Sequence, residues 1–287
     1  MDDTHQSFGA GADAIVAHWI RANELRRAVA DLAGIARRAG VPMLVFKGVA
    51  LGFAVANDPS FRPFVDADIL VHGRAAARSL VRKAAALGFR EGARSVLGYH
   101  LISASGRFVD VHTSPVPPSF GAVDVRSLFS RARPHPVLGG AMVPNAADAG
   151  VLAVAHSVKD AQTEHLEIDL QVLEKYAAVT AGDLAERLGH HGLRRAGLVA
   201  LSMLAQKAAI WAPWFAALAP TASEKVLART LGKLMPLVRR RARRMNLVVG
   251  PVAAGDGIVR PLMGGAIGAA RLLRLMVRDG LGSSTGT

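Results

Sequence analysis

Val65-Asp66-Ala67-Asp68-Ile69-Leu70-Val71 holds two carboxylates, two residues apart, inside an apolar run. Successive side chains of a strand point to opposite faces, so Asp66 and Asp68 share one face while Val65, Ala67 and Ile69 share the other. Two carboxylates that close repel each other, and a divalent cation is the natural compensation. Hard cations such as Mg²⁺ take one or two carboxylates plus substrate phosphates. A third acid, Asp110, stands in a second apolar run, Phe108-Val109-Asp110-Val111-His112, where an unpartnered buried carboxylate is costly. Strands that bring Asp66, Asp68 and Asp110 around one point make a metal-dependent phosphoryl- or nucleotidyl-transfer site.

Other residues fit the same chemistry. His112 shares a strand face with Asp110, where it orients that carboxylate or meets an acceptor. Upstream, Phe46-Lys47-Gly48 reads as a turn from strand into helix. Gly48 lets backbone N–H groups approach a phosphate at the helix start, and Lys47 neutralises charge developing on the transferred phosphorus. Arg62 suits a bidentate clamp on a triphosphate. Each also has a plain structural reading: an ordinary turn, a solvated lysine, an Arg–Asp pair that holds a loop.

The elements that must position these groups follow from periodicity and punctuation. Ile15, Trp19, Ile20, Leu25, Val29, Leu32 and Ile35 recur at roughly helical spacing, which predicts one helix, or two with a break, over 12–39 ended by Gly40. A buried strand over 43–46, a helix over 49–56, a strand over 65–71 and a helix over 74–87 ended by Gly88 come next. Tyr99 to Ser103 and Phe108 to His112, joined through Ser105-Gly106, read as a hairpin. After Pro115, Pro117 and Pro118 the pattern turns helical, over about 146–160, 164–179, 183–190, 193–210, 222–235, 237–246 and 262–278. The expected class is α+β, a small mixed sheet with helices followed by an all-helical C-terminal lobe. Its expected divisions are a catalytic lobe over 1–140, a basic helical lobe over 141–280 and a disordered tail over 281–287.

In the helical lobe, His156, Lys159 and Asp160 share one helix face, and His165 and Asp169 are a turn apart, placed to line an acceptor cleft or simply to face water.

Composition narrows the classes. Without cysteine there are no disulfides and no thiolate metal site. No uncharged apolar run reaches about 18 residues, and the start lacks a basic region followed by an apolar stretch, so the expectation is a cytoplasmic protein without a membrane span. The net charge of +13 is uneven: residues 190–287 carry 15 Lys and Arg against 3 acids, and residues 1–189 carry 20 against 19. A basic lobe, with the run Arg239-Arg240-Arg241-Ala242-Arg243-Arg244, suits a polyanionic partner such as RNA or a phosphorylated substrate, or is a solvated surface.

The ordered set Phe46-Lys47-Gly48-Val49-Ala50-Leu51, Arg62 with Asp66-Ala67-Asp68-Ile69-Leu70-Val71, Leu87-Gly88-Phe89 and Val109-Asp110-Val111-His112 resembles the uncharacterised bacterial nucleotidyltransferases often numbered family five, within the polymerase-beta-like nucleotidyltransferase superfamily. The likeness is good over 42–113, weaker over 145–200, and absent beyond about 210. It departs from the wider superfamily at the turn, where Lys47-Gly48 replaces the usual Gly-Ser. The resemblance implies a polymerase-beta-like fold and a nucleotidyltransferase. It would use Mg²⁺ or Mn²⁺ held by Asp66, Asp68 and Asp110 and an NTP bound near Lys47, Gly48, Arg62 and His112. The acceptor is a hydroxyl or phosphate on a small molecule, a modified peptide or an RNA. A nucleotide sugar fits the same site, which would make the protein a glycosyltransferase acting on a (phospho)peptide. A catalytically silent RNA- or protein-binding module is the reading from a different class.

Overall fold

The computed structural model describes residues 4–61, 63–94, 98–117, 123–161 and 163–241. The chain forms two compact units. The described residues within Met1–Pro115, Val125–Ala149 and Gln171–Ala178 make the first, and those within Val116–Asp124, Gly150–Leu170 and Val179–Thr287 make the second.

The first unit is built on a mixed sheet whose strands are β1 (Met43–Phe46), β2 (Asp66–Val71), β3 (Arg90–Arg94), β4 (Gly98–Ile102), β5 (Phe108–His112), β6 (Arg133–Pro134) and β7 (Met142–Val143). Their order across the sheet is β3-β4-β5-β2-β1-β7-β6. β2 runs parallel to β5 and antiparallel to β1, and β4 is antiparallel to β5 as the predicted hairpin.

Alternation along these strands sorts side chains by chemistry. Val45, Ala67, Ile69, Val71, Leu101, Val109 and Val111 go to one face and form a core with two helices, α1 (Thr4–Arg38) and α3 (Arg74–Ala84). Helix α1 supplies Ala22, Leu25, Val29, Leu32 and Ala36, spaced three or four apart. Helix α3 supplies Ala77, Leu80, Val81 and Ala84 and leaves Arg74, Arg78 and Arg82 in solvent. The opposite face carries Asp66, Asp68, Asp110 and His112. Burying the apolar set fixes the register, because a slip of one residue would exchange the two faces.

The remaining helices are α2 (Lys47–Ala50), continued by a π turn over Leu51–Val55, then α4 (Val125–Arg131), α5 (Ala146–Asp160), α6 (Glu164–Ala177), α7 (Ala181–His190), α8 (Arg194–Lys207), α9 (Ala212–Ala217) and α10 (Ala222–Arg241). The class is α+β, as expected.

Sequence and structure differ at several elements. Strands β6 and β7 have two residues each, too short for a period-two pattern to register. Helix α9 lies past the end of the expected 193–210 helix. Helix α10 runs through Pro236, where a break between 235 and 237 was expected. An interior proline removes one backbone hydrogen bond and costs a helix about 3 kcal/mol, which is why a break was expected. The expected helix over 262–278, the tail over 281–287 and Arg243 and Arg244 lie outside the described residues. The backbone of Arg239, Arg240 and Arg241 belongs to α10.

Candidate active site

Strand register assembles the site. On β2, Asp68 is the partner of Asp110 in β5, and Asp110 is the partner of His100 in β4. On the other side, Asp68 is the partner of Phe46 in β1. His100, Asp110, Asp68 and Phe46 therefore form one row across four adjacent strands. Asp66 and His112 sit one step along β2 and β5 on the same face.

Lys47 follows Phe46, and its backbone takes a left-handed conformation, φ 59°. Such a conformation costs a non-glycine residue on the order of 1 kcal/mol. It starts α2 and brings the lysine back over the sheet, where Nζ lies 2.7 Å from Asp68 Oδ1 and 5.3 Å from the centre of the Phe46 ring. His112 Nε2 lies 2.9 Å from the same Asp68 oxygen, and its ring meets Phe46 edge-on at 5.5 Å. His100 Nδ1 is hydrogen-bonded to Asp110 Oδ1. Asp68 is thus held by an ammonium and an imidazole, and Asp110 by a second imidazole.

Asp66 feels the crowding. Burial first, then the charge of Asp68, push its carboxyl from the ordinary 3.8 up to about 6; Lys47 works against the rise, Asp110 adds to it and His112 opposes it. The three carboxylates of this face outnumber the ammonium of Lys47. The chemistry of its donors fits a divalent cation: hard carboxylate oxygens with an imidazole nitrogen beside them. One ligand atom each from Asp68, Asp110 and His112 lie within 4.8 Å of one another.

The structure places the sequence-derived candidates as follows. Asp66, Asp68, Asp110 and His112 come onto one face with Lys47 against Asp68. Gly48 is buried in α2, and a Cβ there would lie 2.8 Å from Cβ and Cγ of Phe64, so close packing of the 59–64 loop requires its lack of a side chain. His18 of α1 ties the same loop down by donating from Nε2 to the Pro59 carbonyl, 2.7 Å away. Arg62 lies outside the described residues. Arg107, close in sequence to Asp110, pairs with Glu24 of α1, 2.6 Å apart.

His100 is absent from the sequence reading, yet the signal was there: a hairpin that turns at Ser105-Gly106 and pairs Ile102 with Phe108 must pair His100 with Asp110.

In the second unit, His156 Nε2 lies 2.7 Å from Asp160 Oδ2 and Lys159 Nζ 3.2 Å from Oδ1. Burial pushes Asp160 up, but the hydrogen bonds and charges of His156 and Lys159 outweigh it and hold the carboxyl far below its ordinary range. Asp169 is buried on α6, one turn beyond His165.

Residues 13–208 match the model of a family described as uncharacterised nucleotidyltransferase. Among solved structures, the chain is similar to the antibiotic-resistance factor ANT(2'')-Ia in solution, with a TM-score of 0.43 and 11% identity over 58% of this chain and 91% of that one. It is similar to the crystal structure of ANT(2'')-Ia in complex with adenylyl-2''-tobramycin, with a TM-score of 0.40 and 11% identity over 56% and 92%. An antigenic nucleotidyltransferase-like protein from Paracoccidioides brasiliensis gives a TM-score of 0.42 and 13% identity over 68% and 93%. No curated protein matches the chain.

Proposed function

We propose, from the premise that the chain belongs to the family of uncharacterised nucleotidyltransferases, that it moves a nucleoside monophosphate from an NTP to a hydroxyl or phosphate of an acceptor. The acceptor oxygen forms the new bond to the α-phosphorus, the bond to the β-phosphate bridge breaks, and pyrophosphate leaves. The observation that carries this reading is the convergence of Asp66, Asp68, Asp110 and His112 on one sheet face with Lys47 folded back against Asp68.

Asp66, Asp68 and Asp110 would hold Mg²⁺ or Mn²⁺, which when bound supplies charge neutralisation at the polyphosphate. Asp110, positioned by His100, accepts a hydrogen bond from the acceptor hydroxyl and takes its proton as the new bond forms. Lys47 offers its ammonium to the phosphates, where charge builds in the transition state. Positioning and charge complementarity do most of the work in such transfers.

The test is calorimetric titration of each NTP and of nucleotide sugars, with and without Mg²⁺, into wild type and Asp68→Asn. The expected result is Mg²⁺-dependent NTP binding that is lost in the variant, followed by pyrophosphate release once an acceptor is found. Binding of a nucleotide sugar with nucleoside diphosphate release would replace the reading with glycosyl transfer. Salt-sensitive RNA binding without any nucleotide binding would replace it with a binding module.

A further inference from the structure

The set Asp68, Asp110 and His112 differs from a carboxylate-only metal site in one respect: its third donor is nitrogen. His112 Nε2 stands 2.9 Å from Asp68 Oδ1. Neighbouring ligands of an octahedral ion with bonds of about 2.1 Å stand about 3.0 Å apart, so this pair already has the spacing of adjacent ligands. The ring is pre-set as well. It projects from a central strand, is buried, and rests edge-on against Phe46.

For Nε2 to bind an ion, its proton must move elsewhere. In contact with the Asp68 carboxylate, Nε2 carries the proton and donates it. Nδ1 is buried without a hydrogen-bond partner among the described residues. Moving the proton to Nδ1 frees the Nε2 lone pair but leaves a buried N–H without an acceptor among these residues, a cost that the bonds to the ion must outweigh. The bond given up, Nε2 to Asp68, is replaced by two bonds to one ion.

We propose that His112 is a metal ligand through Nε2, and that the centre formed with Asp68 and Asp110 therefore selects Mn²⁺ over Mg²⁺. Imidazole favours first-row transition ions, whereas Mg²⁺ keeps to oxygen donors and its own water. Mn²⁺ takes carboxylates as Mg²⁺ does and, though lowest in the first-row series, is the better of the two for an imidazole nitrogen. The inference rests on the proposed reading only in taking this face as a cation site.

The test uses the full chain with Mn²⁺ alone as probe, and pulsed electron paramagnetic resonance of the bound ion as readout. Wild type is expected to show nitrogen coupling from one imidazole, which changes in a chain labelled with ¹⁵N-histidine. Mg²⁺ should displace the ion only when present in about tenfold or greater excess. His112→Gln should lose the nitrogen coupling and most of that preference, while His100→Gln keeps the coupling. Bound Mn²⁺ without nitrogen coupling in wild type would overturn the inference, reduce His112 to a residue that positions Asp68, and leave the carboxylate site standing. Failure of wild type to bind Mn²⁺, alone or with NTP, would overturn this inference and the metal-dependent reading together. The wild-type spectrum decides even if a variant fails to fold.

Discussion

In the proposed site, Lys47 and a divalent cation would compete for one carboxylate. The ammonium is 2.7 Å from Asp68 Oδ1, and both side chains are nearly out of solvent. Two positive charges about 4 Å apart repel by about 4 kcal/mol per unit charge at an effective dielectric near 20. A cation arriving at Asp68 therefore displaces the lysine, and a triphosphate gives the displaced ammonium a new partner. Lys47→Met is predicted to have effects of opposite sign. Mn²⁺ binding in the absence of nucleotide should tighten by about tenfold, and NTP binding should weaken by a similar factor, each being about 1.4 kcal/mol. Parallel titrations with the metal alone and with NTP check this; weakening of both would mean that Lys47 only supports the fold of the turn. The lysine's place in the chain was legible, since it lies between an apolar strand and a glycine. Its charge partner was not, because that depends on a left-handed backbone which local sequence would assign to glycine or asparagine. His100 is the reverse case, readable from hairpin register alone and overlooked because histidine in a hairpin carries no motif.

At the scale of elements, the strands that bear the site were the most legible part of the chain. β1, β2 and the β4–β5 hairpin are dense in Val, Ile, Leu and Phe and bounded by Gly, Pro, Asn and Asp. β6 and β7 owe their existence to β1, on which β7 pairs, rather than to any pattern of their own. The junction of α2 with the 59–64 loop shows what sequence spacing leaves out. Gly48 reads as a phosphate-approach glycine, whereas the fold sets Phe64 against it at a distance no Cβ tolerates. Gly48→Ala is predicted to destabilise the protein by about 1–3 kcal/mol, the usual cost of overpacking. Denaturant unfolding of the nucleotide-free protein checks it. If stability were unchanged while NTP binding fell, the packing account would be wrong and the phosphate-approach reading would take its place.

At the scale of the whole molecule, the acidic face works against stability, and the proposed cation would relieve it. The Asp66 carboxyl is raised to about 6 from an ordinary 3.8, so between those values the folded state binds more protons than the unfolded state. Its contribution to stability is complete below about pH 3.8 and is lost as pH rises through 6. At about 1.4 kcal/mol for each pH unit of displacement, the ceiling on that loss is about 3 kcal/mol, and relaxation of the site makes the realised value smaller. Asp66→Asn removes the titration. With chelator present, its melting temperature relative to wild type should climb between pH 4 and pH 6.5 and then level off. Saturating Mn²⁺ and NTP should reverse the order at neutral pH, because ligands that bind only the folded state stabilise it more the tighter they bind, and the variant has lost a carboxylate from the face proposed to hold them. Calorimetric melts across that range, with and without ligands, test both halves. A difference in melting temperature that stays constant with pH would show that Asp66 is not under electrostatic strain. A rise in the variant's stability with no loss of ligand stabilisation would place Asp66 outside the cation site while leaving Asp68 and Asp110 in it.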